Sequence, residues 1–152
     1  MTSDDLGNRT RLVLPVPEVA SVVPGAHIPL LDPFLPADDV DPGVLAELSE
    51  LFAELVPFPF VLGEAARFPT GAAYLPPQPV GAFRRITQAL RRAFPEVAEP
   101  ASSLYGAIPH LALPDDAVGA LPTPLEVHAR EAVLLAPDGS ALATFGFGTS
   151  AA

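Results

Sequence analysis

Residues 25–34 read GAHIPLLDPF, and residues 109–113 read PHLAL. Both hold the same short pattern of a histidine, an aliphatic residue, a small or cyclic residue and then leucine. It occurs as His27-Ile28-Pro29-Leu30 and as His110-Leu111-Ala112-Leu113. Side chains alternate across a strand, so His27 and Pro29 share one face and Ile28 and Leu30 take the other. The same alternation sets His110 beside Ala112 and turns Leu111 and Leu113 toward a core. Pro29 adds nothing to a ladder because proline has no N–H. Its place beside a histidine is therefore a question about what that face does.

Two histidines on strands facing one cleft make an acid–base pair. One neutral imidazole takes a proton while the other, protonated, gives one, both near neutral pH. A single histidine ahead of an apolar strand is more simply a hydrogen-bonded structural residue. The repeated pattern is what gives the functional reading weight.

Outward from these stretches, the chain reads as α+β. The first ten residues, MTSDDLGNRT, are polar and read as a flexible tail, leaving 11–150 as a single domain. A short apolar run at 12–16 predicts a strand, and 18–26 is short for a connected helix. Asp41 is a helix cap and Pro42 suits the first helical position. Leu45, Leu48, Leu51, Phe52 and Leu55 then recur at helical spacing and predict a helix over 42–56. Strands are expected at 58–64 and 72–75. A second helix is expected over 80–94, with Phe83, Ile86, Leu90 and Phe94 as its apolar stripe. Residues 108–113 are expected to form another strand. The runs 125–135 and 141–147 flank a turn at Asp138-Gly139 and predict a hairpin.

Composition excludes several classes. The chain has 152 residues, 49% hydrophobic and 17% charged, which argues for a packed core despite 20 prolines and 11 glycines. No apolar run approaches the roughly 18–20 residues that span a bilayer. The polar, acidic N-terminus is the opposite of a signal-peptide start, so a cytoplasmic protein is expected. The chain lacks cysteine, which rules out disulfides and thiolate metal sites. Three scattered histidines suggest no metal centre, and GFGTS at 146–150 precedes no helix that would make it a phosphate loop. No cofactor is expected. Net charge is −10 with eight arginines and no lysine, and four of those arginines cluster as Arg84, Arg85, Arg91 and Arg92. A nucleic-acid binder needs a basic stripe, whereas this cluster reads as a solvated helix face. The expected partner is a small-molecule substrate, with neither nucleic acid nor membrane.

The runs at 26–52 (AHIPLLDPFLPADDVDPGVLAELSELF), 67–90 (RFPTGAAYLPPQPVGAFRRITQAL) and 109–113 (PHLAL) resemble the two-histidine (2H) phosphoesterase superfamily. They look most like its bacterial branch named after 2′–5′ RNA ligase. The resemblance implies a bilobal, pseudo-two-fold α+β fold, with antiparallel sheets lining a central cleft and helices outside. It also implies one His-x-Thr/Ser-x motif from each lobe, the histidines acting as general base and general acid. Those roles carry onto His27 and His110.

The hydroxyl roles do not carry over, because the matching positions are Pro29 and Ala112, which lack any side-chain donor. Each preorganised donor to a developing oxyanion is worth about 3–4 kcal/mol, or roughly 10²–10³ in rate. Arg11, Arg67 and Arg130 are the arginines left for the fold to bring in as replacements. The family's helices after the first strand and after the second motif are also missing, their places taken by 18–26 and 114–124.

The expected activity is therefore acid–base chemistry on a small, mostly apolar, non-phosphate metabolite: cyclisation, isomerisation, dehydration or hydrolysis. The alternatives are a conventional 2′,3′-cyclic phosphodiesterase and a non-catalytic binding protein. Pro29, Ala112, Tyr74, Tyr105 and Phe34 are the candidate substrate contacts, the two tyrosines through their hydroxyls. His128 reads as a surface or edge residue, and Asp32 as a neighbour of the first motif.

Overall fold

The chain is described by a computed structural model over residues 8–31, 34–95, 97 and 109–148. Its elements run β1 (Arg11–Pro15), β2 (His27–Leu31), α1 (Pro42–Ala53), β3 (Phe58–Leu62), β4 (Ala66–Arg67), β5 (Ala73–Leu75) and β6 (Pro77–Gln78). There follow α2 (Val80–Ala93), β7 (Leu111–Leu113), β8 (Leu125–Ala129), β9 (Glu131–Leu135) and β10 (Ala141–Gly146). Short 3-10 turns at Pro17–Val19 and Asp115–Ala117 stand where the family resemblance implied helices.

One antiparallel sheet has the order β10-β9-β1-β2. Its hairpin closes as read from the sequence. Asp138 accepts from the Ser140 N–H at 2.9 Å and from its hydroxyl at 2.7 Å. Gly139 takes φ +93°, a region where any other residue would be strained.

Two three-stranded sheets, β6-β3-β8 and β4-β5-β7, follow one bent hairpin flanked on both sides. β3 pairs with β6 and β4 with β5, and the Gly63 N–H bridges the bend to the Pro76 carbonyl at 2.8 Å. β8 adds beside β3, and β7 beside β5. The sheets β10-β9-β1-β2 and β4-β5-β7 thus each place a histidine motif at an edge strand, next to an antiparallel partner. That repeat is the pseudo-two-fold. The two motif edges, β2 and β7, pack against one another.

The expected single run over 125–135 divides at Arg130, where the chain crosses between sheets. Val127 and Ala129 are buried in one sheet, whereas Ala132 and Leu134 are buried in the other. The burial phase slips from odd to even positions there, so one continuous strand cannot serve both cores.

Both helices cover the buried faces. Asp41 caps α1 by accepting from the Val44 N–H at 2.9 Å. Phe52 of α1 stacks on Phe145 and Phe147, with centroids 5.7 and 6.0 Å away. Phe83 of α2 meets Phe60 edge-on at 5.0 Å and Phe58 at 5.7 Å. The first helix ends at Ala53 rather than at 56. Pro57 disfavours helical backbone at Val56, which helps stop it there.

Two expectations are corrected. Residues 8–10 belong to the fold rather than to a tail: Thr10 is fully buried, and its hydroxyl donates to the Leu35 carbonyl at 2.6 Å. Phe34 is core and not a substrate contact, because it is fully buried and packs edge-on against Phe94 at 5.1 Å. Asp32, Pro33, Tyr105 and Ile108 lie outside the described residues.

Candidate functional site

Directly paired residues of an antiparallel ladder point to the same side of the sheet. Buried Leu12, Leu14, Ile28 and Leu30 therefore define the core face of the first sheet, and His27 and Pro29 lie on the other. Pro15 stands opposite His27 and Val13 opposite Pro29, and Val133 of β9 lies opposite Val13. In the β4-β5-β7 sheet Ala73, Leu75, Leu111 and Leu113 are buried. Tyr74 and Ala112, paired across β5 and β7, hold the open face. The alternation expected of both motifs is what the fold adopts.

His27 is oriented by its own turn. Its Nδ1 lies 2.9 Å from the Gly25 carbonyl oxygen. A carbonyl oxygen only accepts, so Nδ1 carries the hydrogen, and a neutral ring then presents the Nε2 lone pair. Gly25 reaches this position at φ +72°.

His110 immediately precedes β7 and is held by aromatic rings. Phe68 and Tyr74 stack at 4.1 Å, and the His110 ring stands edge-on to both, at 5.3 and 6.2 Å. Both motif histidines are half-buried, so each ring is fixed and still open to solvent.

The two family hydroxyl positions are apolar on this surface. Pro29 is half-buried and Ala112 exposed. Arg67 and Arg11 do not fill in for them. Arg67 stands opposite Ala73, whose partner is Leu113, on the far side of the sheet from His110. There it donates to the Gly71 carbonyl at 2.7 Å and pairs with Asp115 at 3.1 Å. Arg11 lies at the opposite end of β1 from Pro15, roughly 13 Å along the strand, and leans on the turn at Gly139. Arg130, at the crossover, lines a hollow with Pro15, the residue facing His27.

Of the sequence candidates, Pro29 lies with His27, and Ala112 and Tyr74 lie with His110. His128 is exposed on β8, at the edge of its sheet, as expected. Phe68, a residue that the sequence candidates do not include, meets the His110 ring edge-on. The signal for it is weak, because it sits in a turn where no periodicity operates. No group of three or more His, Asp or Glu among the described residues is arranged to hold a metal ion. No helix among them is long and apolar enough to cross a membrane.

Residues 15–140 match the family model of the 2′-5′ RNA ligase superfamily, and the chain belongs to that superfamily. Solved structures share the fold at low identity. TT0787 of Thermus thermophilus superposes with a TM-score of 0.63 at 18% identity, over 93% of this chain and 99% of that one. Escherichia coli LigT complexed with NADP+ gives 0.61 at 18% identity, over 93% and 98%. LigT complexed with 3'-AMP gives 0.60 at 18% identity, over 92% and 98%. None of the curated protein sequences compared is significantly similar to the chain.

Proposed function

We propose that this member of the 2′-5′ RNA ligase superfamily is an acid–base enzyme acting on a small, mostly apolar, non-phosphate metabolite. The observation that carries this reading is the surface beside each histidine, where Pro29 and Ala112 replace hydrogen-bond donors. A phosphoryl group gathers charge on its oxygens during transfer and needs donors or cations aimed at them. Arg67 and Arg11 point elsewhere. A neutral reacting centre has no such need, and Pro15, Pro29 and Tyr74 suit an apolar body.

In this reading His27 is the base, since its Nδ1 donates to Gly25 and its Nε2 is left to receive a proton. His110, steadied by Phe68 and Tyr74, returns a proton to the product or leaving group. Ring closure, ring opening, isomerisation, dehydration and hydrolysis all fit this exchange, as a step in small-molecule biosynthesis in a bacterial cytoplasm.

The test is metabolite profiling with purified protein and with His27→Ala and His110→Ala variants. Each substitution is expected to reduce turnover of the substrate so found by about 10²–10⁴-fold. Unchanged turnover in both variants would end the acid–base assignment.

A further inference from the structure

Beside His27 lies a hollow of about 190 Å³ bounded by Pro15, Pro17, Glu18, His128, Arg130 and Glu131. Pro15 faces His27 across the ladder, so the hollow opens one strand away, about 4.8 Å in the pairing direction. Residues of both sheets meet there, Pro15 and Glu131 from one and His128 from the other. Glu18 braces this junction by accepting from the His128 N–H at 3.0 Å.

The remaining charges are uncommitted. Among the described residues, neither Arg130 nor Glu131 makes a side-chain hydrogen bond or ion pair, although they share the hollow. A lone anion placed there meets the carboxylates of Glu18 and Glu131, and a lone cation meets the Arg130 guanidinium. A group bearing both charges on neighbouring atoms meets a complement for each.

We infer that this hollow receives the amino-acid end of the substrate, its carboxylate on Arg130 and its ammonium on Glu131. The apolar remainder then extends past Pro15 toward His27. This assignment rests on the reading of the open face as the substrate surface, and it narrows the substrate class to amino acids and molecules ending in one.

The experiment uses L-leucine as probe on the isotopically labelled protein, following the His128 imidazole C–H and Arg130 Nε–H signals by NMR. Saturable shifts are expected with L-leucine. N-acetyl-L-leucine, which lacks the ammonium, and L-leucinamide, which lacks the carboxylate, should each bind about tenfold more weakly or worse, as expected for loss of a charge-assisted hydrogen bond. Arg130→Gln and Glu131→Gln should weaken L-leucine by a similar factor. Equal binding of the blocked probes, or no saturable shift with L-leucine, overturns the inference. The probe comparison uses the unaltered protein, so it decides the matter even where a variant fails to fold. Leucine binding by the natural protein with unimpaired turnover in His27→Ala would remove the acid–base reading alone, and no leucine binding by the natural protein with turnover abolished in His27→Ala would remove this inference alone.

Discussion

His27 and Gly25 are joined by a hydrogen bond of 2.9 Å from the ring Nδ1 to the backbone carbonyl, two residues back along the chain. It fixes both ring direction and tautomer. Nitrogen-15 NMR of the neutral ring should therefore find the hydrogen on Nδ1. Gly25→Ala places a β-carbon at φ +72° and should cost about 1–2 kcal/mol. Turnover should fall beyond what that instability explains, because the ring loses its anchor. A neutral ring protonated at Nε2 would contradict this geometry.

Pro29 and Ala112 occupy the open face in matching positions, so replacing both with threonine should rebuild donors beside the two histidines. Hydrolysis of 2′,3′-cyclic nucleotides is expected to rise in the double variant by at least about 10²-fold over the natural sequence. Ala112 is exposed, so Ala112→Thr should leave thermal stability nearly unchanged. A double variant that folds yet gains nothing would show that the missing hydroxyls are not what separates this surface from a phosphodiesterase.

Phe52 and Phe68 provide a contrast between core and site. Phe52 is fully buried and stacked on Phe145 and Phe147, and Phe52→Ala should cost about 3–5 kcal/mol. Phe68 is half-buried against Tyr74 and His110, so Phe68→Ala should lower turnover more than it lowers stability. Denaturant unfolding and turnover measured on both variants check this split.

Asp138 is held below the ordinary carboxylate pKa, first by the Ser140 hydroxyl and then by the Ser140 backbone N–H. A depressed folded-state pKa favours the native state above the unfolded value. That contribution disappears as pH falls through the folded value. NMR titration should place Asp138 below a model carboxylate, and Ser140→Ala should raise it. An unaltered titration in Ser140→Ala would assign the depression to another group.

The sequence makes much of this legible where local chemistry decides the backbone. Asp41-Pro42 starts α1, Asp138-Gly139 turns the last hairpin, and alternation puts His27 with Pro29 and His110 with Ala112. What it hides depends on tertiary packing. Phe34 is as aromatic as Phe68, yet the fold sends one into the core and the other to His110. The phase slip at Arg130 is visible in burial, but only sheet topology shows that it carries the chain between lobes. Arg67 and Arg130 could not be told apart until pairing with Ala73 turned Arg67 away from His110.

The most direct test of the non-phosphate reading is the rate of 2′,3′-cyclic AMP hydrolysis by the natural sequence beside its His27→Ala variant. The account predicts two slow rates that cannot be distinguished. Clear turnover by the natural sequence that vanishes in the variant would contradict it and restore a conventional phosphodiesterase.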